Sequence, residues 1–163
     1  MISYQRLDQS NAEHFAMFCE VFRLAPAYVY ASEGHAPTQD ELRTMYNISA
    51  PGVGAEDIFM HGLFFNEALC GCSCVVRGYP SQDTAYLVLL LLGQETQNRG
   101  IGASVLRQIA QDARTWGCSK ISAVVDSAND RALRFWKREG FRETFTKQHK
   151  GMVGHAVGIE REA

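Results

Sequence analysis

A chain of 163 residues is long enough for one domain with a substantial core and too short for two of ordinary size, so a single domain over 1–163 is expected. Hydrophobic residues make up 46% and charged residues 21%, with 16 basic against 18 acidic side chains and a net charge of −2, the balance of a soluble globular protein without the basic runs that bind nucleic acid. The longest apolar stretch, Ala85 to Leu92, falls far short of the roughly 20 residues a membrane span needs. The first ten residues also lack the apolar core of a secretory leader, so a cytoplasmic protein with neither nucleic-acid nor membrane partner is expected.

In chain order, Ile2–Leu7 reads as a first strand. Ser10 and Glu13 have capping-box spacing, and Phe15, Phe18, Val21 and Phe22 follow at helical intervals. Residues 25–36 mix Tyr28, Tyr30, Glu33 and His35 with small side chains, as in a loop or broken helix over a cleft. Thr38 with Glu41 opens another helix through Leu42 and Met45. Ile58–Phe65 and Ala68–Arg77 flank Asn66-Glu67, a two-residue hairpin turn. Tyr86–Leu92 shows no polar alternation, so it is expected to be a central strand covered on both faces. Ile101, Val105, Leu106, Ile109, Ala113 and Trp116 form a helical stripe that Gly117 ends. Lys120–Val125 is a further strand. Asn129 caps a helix bearing Ala132, Leu133, Phe135 and Trp136, which stops at Gly140. Phe141–Thr146 and Met152–Ile159 are late strands, suited to a homodimer contact. The whole reads as an α/β (α+β) fold, a mixed, mostly antiparallel central sheet of six to seven strands flanked by about four helices.

The five cysteines are Cys19, Cys70, Cys72, Cys74 and Cys118. An odd count without a secretory leader favours reduced thiols. Cys70, Cys72 and Cys74 alternate, and His61 could lie on a neighbouring strand, which makes zinc conceivable. A flat strand splays its sulfurs instead of converging them, so three small core residues and no metal are expected.

Chemistry concentrates after Leu92. There the chain reads Gln97-Asn98-Arg99-Gly100-Ile101-Gly102-Ala103, between a buried strand and a long amphipathic helix. A glycine-rich turn at a helix start presents bare N–H groups to an anion, and the helix dipole adds partial positive charge. Glycine at 100 and 102 keeps Cβ atoms away from those donors. A dinucleotide site would need a third glycine at 105, where valine stands. Simple close packing is the other reading of the pair.

Together these residues resemble the GNAT N-acetyltransferase superfamily, whose signature is Q/R-x-x-G-x-G/A between a central strand and a helix. A second family pattern is matched by Asn129, Ala132, Phe135-Trp136 and Gly140-Phe141, and the preceding hairpin by Asn66 to Gly71. The resemblance implies acetyl-CoA as co-substrate and a small-molecule amine as acceptor, with no metal. It implies that Gln97 to Ala103 hold the diphosphate, and that the main chain at Leu90, Leu91 and Leu92 pairs with the pantetheine arm. It further implies that an N–H at or near Leu92 stabilises the oxyanion, and that Asn129, Ala132 and Trp136 contact the cofactor. The positions where the family places a base are Tyr86, Leu87 and Val88, of which only Tyr86 is polar. Asp126, which is also suited to capping a turn, joins Glu33 and His35 as a further candidate. Trp136 stands where the family carries a tyrosine that protonates the leaving thiolate, and indole N–H is a donor only. Tyr28, Tyr30, Glu33 and Tyr86 are the expected acceptor contacts. A regulatory acyl-CoA-binding module and a protein or peptide acetyltransferase stay open as alternatives.

Overall fold

The computed structural model describes residues 1–26 and 35–163, so the expectations for Tyr28, Tyr30 and Glu33 fall outside the described residues. Seven strands form one sheet in the order β1-β2-β3-β4-β5-β7-β6. They are β1 (Ile2–Arg6), β2 (Ile58–Phe65), β3 (Ala68–Arg77), β4 (Thr84–Leu92), β5 (Lys120–Asp126), β6 (Arg142–Lys147) and β7 (Ala156–Glu162). Among the described residues there are four α-helices, α1 (Ala12–Leu24), α2 (Gln39–Tyr46), α3 (Ile101–Thr115) and α4 (Asp130–Arg138). The mixed, mostly antiparallel sheet expected from the sequence is therefore present. Of these seven strands, only β4 and β5 run parallel to each other as neighbours.

Local chemistry explains most of these boundaries. Asn66 and Glu67 both adopt positive φ, +50° and +70°, which gives the two-residue turn a twist that matches its strands. Thr38 and Glu41 form a reciprocal capping box at the start of α2. The α1 cap differs from expectation. Asn11, not Ser10, accepts from the N–H groups of Glu13 and His14. Ser10 is occupied with Asp8, to whose carboxylate it donates through both backbone and hydroxyl, so it sits one residue outside the helix. The last strand also starts later than Met152. Residues before Ala156 stay irregular because Val153 and Gly154 give their N–H groups to Asp126.

Two apolar clusters lie on opposite faces of the sheet. One joins α3 and α4 to Leu87, Ile121 and Ile159. The other joins α1 and α2 to Met60, Cys72, Cys74 and Val76. Cys70, Cys72, Cys74 and Cys118 are buried among these side chains, and burial pushes the thiols of Cys72 and Cys74 up, the latter to about 12. Among the described residues no group of His, Cys, Asp or Glu could hold a metal ion, and no helix is long and apolar enough to cross a membrane.

Candidate active site

The parallel pair β4–β5 is where the sheet opens. The strands pair at only three positions, Thr84 with Lys120, Ala85 with Ile121 and Tyr86 with Ser122. Beyond Tyr86 they part. β4 continues to Leu92 against β3, and β5 continues to Asp126 against β7. The break coincides with a bulge. Cys74 faces Leu89 and Val75 faces Leu87, which leaves Val88 without an opposite residue on β3. An extra residue bends its strand and increases the local twist. The parting also corrects the expectation of a fully covered strand, since Tyr86, Val88, Leu89, Leu90 and Leu92 are only half-buried. Their apolar run lines a cleft as well as a core.

One edge of β4 is thus free of a partner strand. Gly93 donates to the carbonyl of Cys70 in β3 at 2.7 Å. Alternation along an antiparallel pair then turns Leu91 toward β3 and leaves Leu90 and Leu92 with their polar groups on the open edge. The carbonyl of Leu92 is met there by the side-chain amide of Gln97 at 3.0 Å.

The turn into α3 ends on the same opening. Asn98 and Gly100 take left-handed conformations, with φ of +62° and +76°. Gly100 occupies the cap position without a side-chain hydrogen bond, whereas Asn11, Thr38 and Asn129 cap the other three helices. The first intrahelical bond of α3 belongs to Ser104, which donates to Gly100, so the N–H groups of Ile101, Gly102 and Ala103 point outward as helix-start donors. The two glycines do different work. A Cβ on Gly100 would meet nothing within 4 Å, while one on Gly102 would lie 3.2 Å from the Phe135 ring of α4. Gly100 serves the backbone turn, and Gly102 lets two helices approach, which was the packing alternative.

The resulting cleft has a volume of about 650 Å³. Its walls are Leu87–Leu92, the turn residues Gln97, Asn98, Gly100, Gly102 and Ala103, β5 from Ala123 to Asp126, and the α4 face bearing Asn129, Ala132 and Trp136. Arg99 and Ile101 instead border a second depression, of about 790 Å³, on the other flank of α3 against Ile2, Tyr4 and Phe65.

Trp136 is buried, with its ring edge-on to Phe135 and Phe141. Both oxygens of Asp126 are used, accepting from Ala128, Val153 and Gly154 at 2.9 Å each. That pattern matches the turn-holding role. Asn129 caps α4 by accepting from Ala132. Tyr86 sits at the apex of the parting, edge-on to Tyr79 at 5.5 Å. Burial, with a smaller contribution from Tyr79, holds its phenol above the ordinary value.

The family can now be decided, because residues 18–141 match the family model described as Acetyltransferase (GNAT) family. The chain belongs to this GNAT family. No curated protein matches the chain. Among solved structures, it is similar to an acetyltransferase from Thermus thermophilus, at 23% identity and a TM-score of 0.79, covering 100% of this chain and 97% of that one. The ribosomal-protein-S18-alanine N-acetyltransferase of Escherichia coli shares 13% identity at a TM-score of 0.72, over 99% and 94% of the two chains. The PaiA N-acetyltransferase of Thermoplasma acidophilum, solved in complex with coenzyme A, shares 18% at 0.71, over 100% and 99%.

The residues of this GNAT acetyltransferase fit an acyl-CoA. Unpaired helix-start donors suit a diphosphate, and a free strand edge suits an arm that carries amides. Several cleft residues were not singled out from the sequence. Arg131, Arg134 and Arg138 line the α4 wall, and His149 and Met152 approach from the β6–β7 loop. The spacing of the arginines, three and four residues apart, was the signal available. Ser122 had none. It faces Tyr86 in register at the apex, and its hydroxyl is buried without a hydrogen-bond partner among the described residues.

Proposed function

We propose that the protein is an N-acetyltransferase that moves an acetyl group from acetyl-CoA to a primary amine of a small molecule by direct attack. The observation that carries this reading is the parting of β4 from β5, which leaves the N–H groups of Leu90 and Leu92 on an open edge below the uncapped start of α3.

When bound, acetyl-CoA supplies the reactive thioester. The N–H groups of Ile101, Gly102 and Ala103 take the diphosphate, with Gln97, Asn98 and Arg99 shaping the turn around them. The open edge at Leu90–Leu92 aligns the pantetheine arm, and Asn129, Ala132 and Trp136 close over it. The N–H of Leu92 or of Leu90 donates to the carbonyl oxygen as it gains charge, a contact worth a few kcal/mol of barrier at such sites. Tyr86, a neutral phenol near pH 7 that burial makes still harder to ionise, places the acceptor by hydrogen bonding. The acceptor is an ammonium with an ordinary pKa near 10.4, and it gives its proton to water in the cleft. The leaving thiolate, with an ordinary thiol pKa near 8.5, is tolerable without a strong acid.

A second reading is supported by the same two side chains that weaken catalysis. Trp136 has no proton to exchange near neutrality, and Asp126 spends its carboxylate on three backbone N–H groups. On that reading the protein binds acyl-CoA without turning it over. Calorimetry with coenzyme A, together with thiol release from acetyl-CoA over a panel of small amines and peptide N-termini, separates the possibilities. Affinity with turnover on a small amine is expected. Turnover on peptides alone would correct the acceptor, binding without turnover would favour the module, and no affinity for coenzyme A would end both readings.

A further inference from the structure

The end of β6 and the loop into β7, residues 147–155, carry Lys147, His149, Lys150 and His155 and no carboxylate. His149, Gly151 and Met152 line the cleft, and Asp126 moors the loop there by accepting from Val153 and Gly154. Register adds Lys147, which pairs with Ala156, which pairs in turn with Asp126. Residues opposite one another share a face of the sheet. Val125, the neighbour of Asp126, packs with α3 and α4, so this row faces the other way. With the donor held on the α3–α4 side, that is the side left to the acceptor.

Gly151 donates its N–H to Nδ1 of His149 at 3.1 Å. A ring nitrogen that accepts in this way bears no proton, so neutral His149 carries its proton on Nε2 and offers that atom as a donor. The ring lies against bare backbone, since a Cβ on Gly151 would stand 3.2 Å from Cε1 of His149. An ammonium has three donors and no acceptor, so it finds no hydrogen-bond partner in this imidazole or in either lysine. An oxyanion can pair with each of them. The carboxylates close by are already answered. Among the described residues Asp126 is the only one lining the cleft, and three N–H groups hold it. Glu160 of β7 is bound by Lys120 and Arg142. Lys147 and Lys150 have neither ion pair nor hydrogen bond among the described residues.

We propose that His149, Lys147 and Lys150 bind an oxyanion carried by the acceptor, so that the enzyme acetylates amines bearing a carboxylate or a phosphate and discriminates against diamines. This rests on the N-acetyltransferase reading and names the class of its acceptor. Anchoring the anionic end on the loop leaves the amine end free to reach the open edge of β4, where the thioester carbonyl is held.

The experiment is steady-state turnover of acetyl-CoA by the full chain on ω-amino acids of increasing length, their amides, and the aminoalkyl phosphates and diamines of matching length. It is repeated on the His149→Ala and K147Q/K150Q variants. All three side chains are exposed, and matching thermal melts check that the variants fold. Wild type is expected to use its best anionic amine with a kcat/KM about ten- to a hundredfold above that of the matching neutral amide, the range for one or two charge-assisted contacts. The diamine is expected to be the poorest of each set, and the carboxylate and phosphate arms tell which oxyanion the loop takes. The lysine variant is expected to bring the ratio within about threefold, chiefly by raising KM for the anionic amine, and to make it less sensitive to salt. His149→Ala is expected to lower the ratio severalfold. A wild type that prefers the amide or the diamine, or a ratio untouched in both variants, would overturn this assignment and leave the N-acetyltransferase reading intact. Turnover of no amine in the set, with coenzyme A still bound, would end the small-amine reading and this inference with it.

Discussion

Gln97 donates its side-chain amide to the carbonyl oxygen of Leu92 at 3.0 Å, which ties the turn before α3 to the last residue of β4. The bond satisfies the carbonyl that the parting strand would otherwise leave bare. Gln97→Ala is expected to cost about 1 kcal/mol of stability, or a Tm lowered by roughly 2–4 °C for a chain of this size. It should also weaken coenzyme A binding by more than the melt suggests. An unchanged affinity, read by calorimetry, would mean that the turn holds its shape without this tether.

Gly100 and Gly102 make separable predictions. Gly100→Ala places a Cβ in open space at a φ of +76°, so it costs about 1–2 kcal/mol of backbone strain and little else. Gly102→Val drives a branched side chain toward the Phe135 ring, 3.2 Å from the position of its Cβ. That substitution is expected to push α4 from α3 and to cost at least tenfold in coenzyme A affinity. Equilibrium unfolding alongside calorimetry tells the two apart.

This pair shows how far the sequence could be read. The strands, the Asn66-Glu67 turn, the caps at Thr38 and Asn129 and the glycine turn follow from local pattern, and the structure has all of them. What Gly102 touches does not, because Phe135 lies 33 residues away and only the fold brings it close. The half-exposure of β4 is hidden for a related reason. An apolar run looks the same whether a neighbouring strand covers its edge or a cleft does. Asn11 took the cap from Ser10 because Asp8 competes for the serine, a choice between adjacent residues that spacing alone leaves open. Nothing local in the sequence says that Arg131 and Arg134 border the cleft.

Asp126→Asn tests whether the carboxylate holds the loop. An amide keeps the shape but turns one acceptor into a donor opposite a backbone N–H. About 1–3 kcal/mol of destabilisation is expected, with faster hydrogen exchange at Val153 and Gly154. A variant of wild-type stability that had lost only its turnover would instead place Asp126 in the chemistry.

Trp136→Tyr places a phenol where the resemblance to the family implies one. A phenol can give up a proton where indole cannot, so turnover is expected to rise severalfold, with KM for acetyl-CoA nearly unchanged. The smaller ring leaves space between Phe135 and Phe141, which should lower the Tm by a few degrees. If turnover did not move, this position would be remote from the sulfur.

Tyr46 links stability to alkaline pH. Its hydroxyl donates to the carbonyl of Asp8 at 2.6 Å, and burial, with the charge of Asp8 adding, raises its phenol from 10 to about 12. A raised value favours the neutral form in the folded state. Its contribution is therefore intact below pH 10 and is lost as pH climbs toward about 12. Urea midpoints should be flat from about pH 7 to 9 and fall beyond, and Tyr46→Phe should flatten that fall. Tyr4 and Tyr86 are raised in the same direction, so some decline persists in the variant. An identical decline in both proteins would count against Tyr46.

β4 and β5 pair at only three positions across the middle of the sheet, the last of them Tyr86 with Ser122. Four strands lie on one side of that seam and three on the other, so the sheet works as two leaves bound at a short spine. The gap between Leu92 and Asp126 is therefore fixed by the angle at which the two strands leave residues 84–86 and 120–122, at positions that line up with neither end of the mouth.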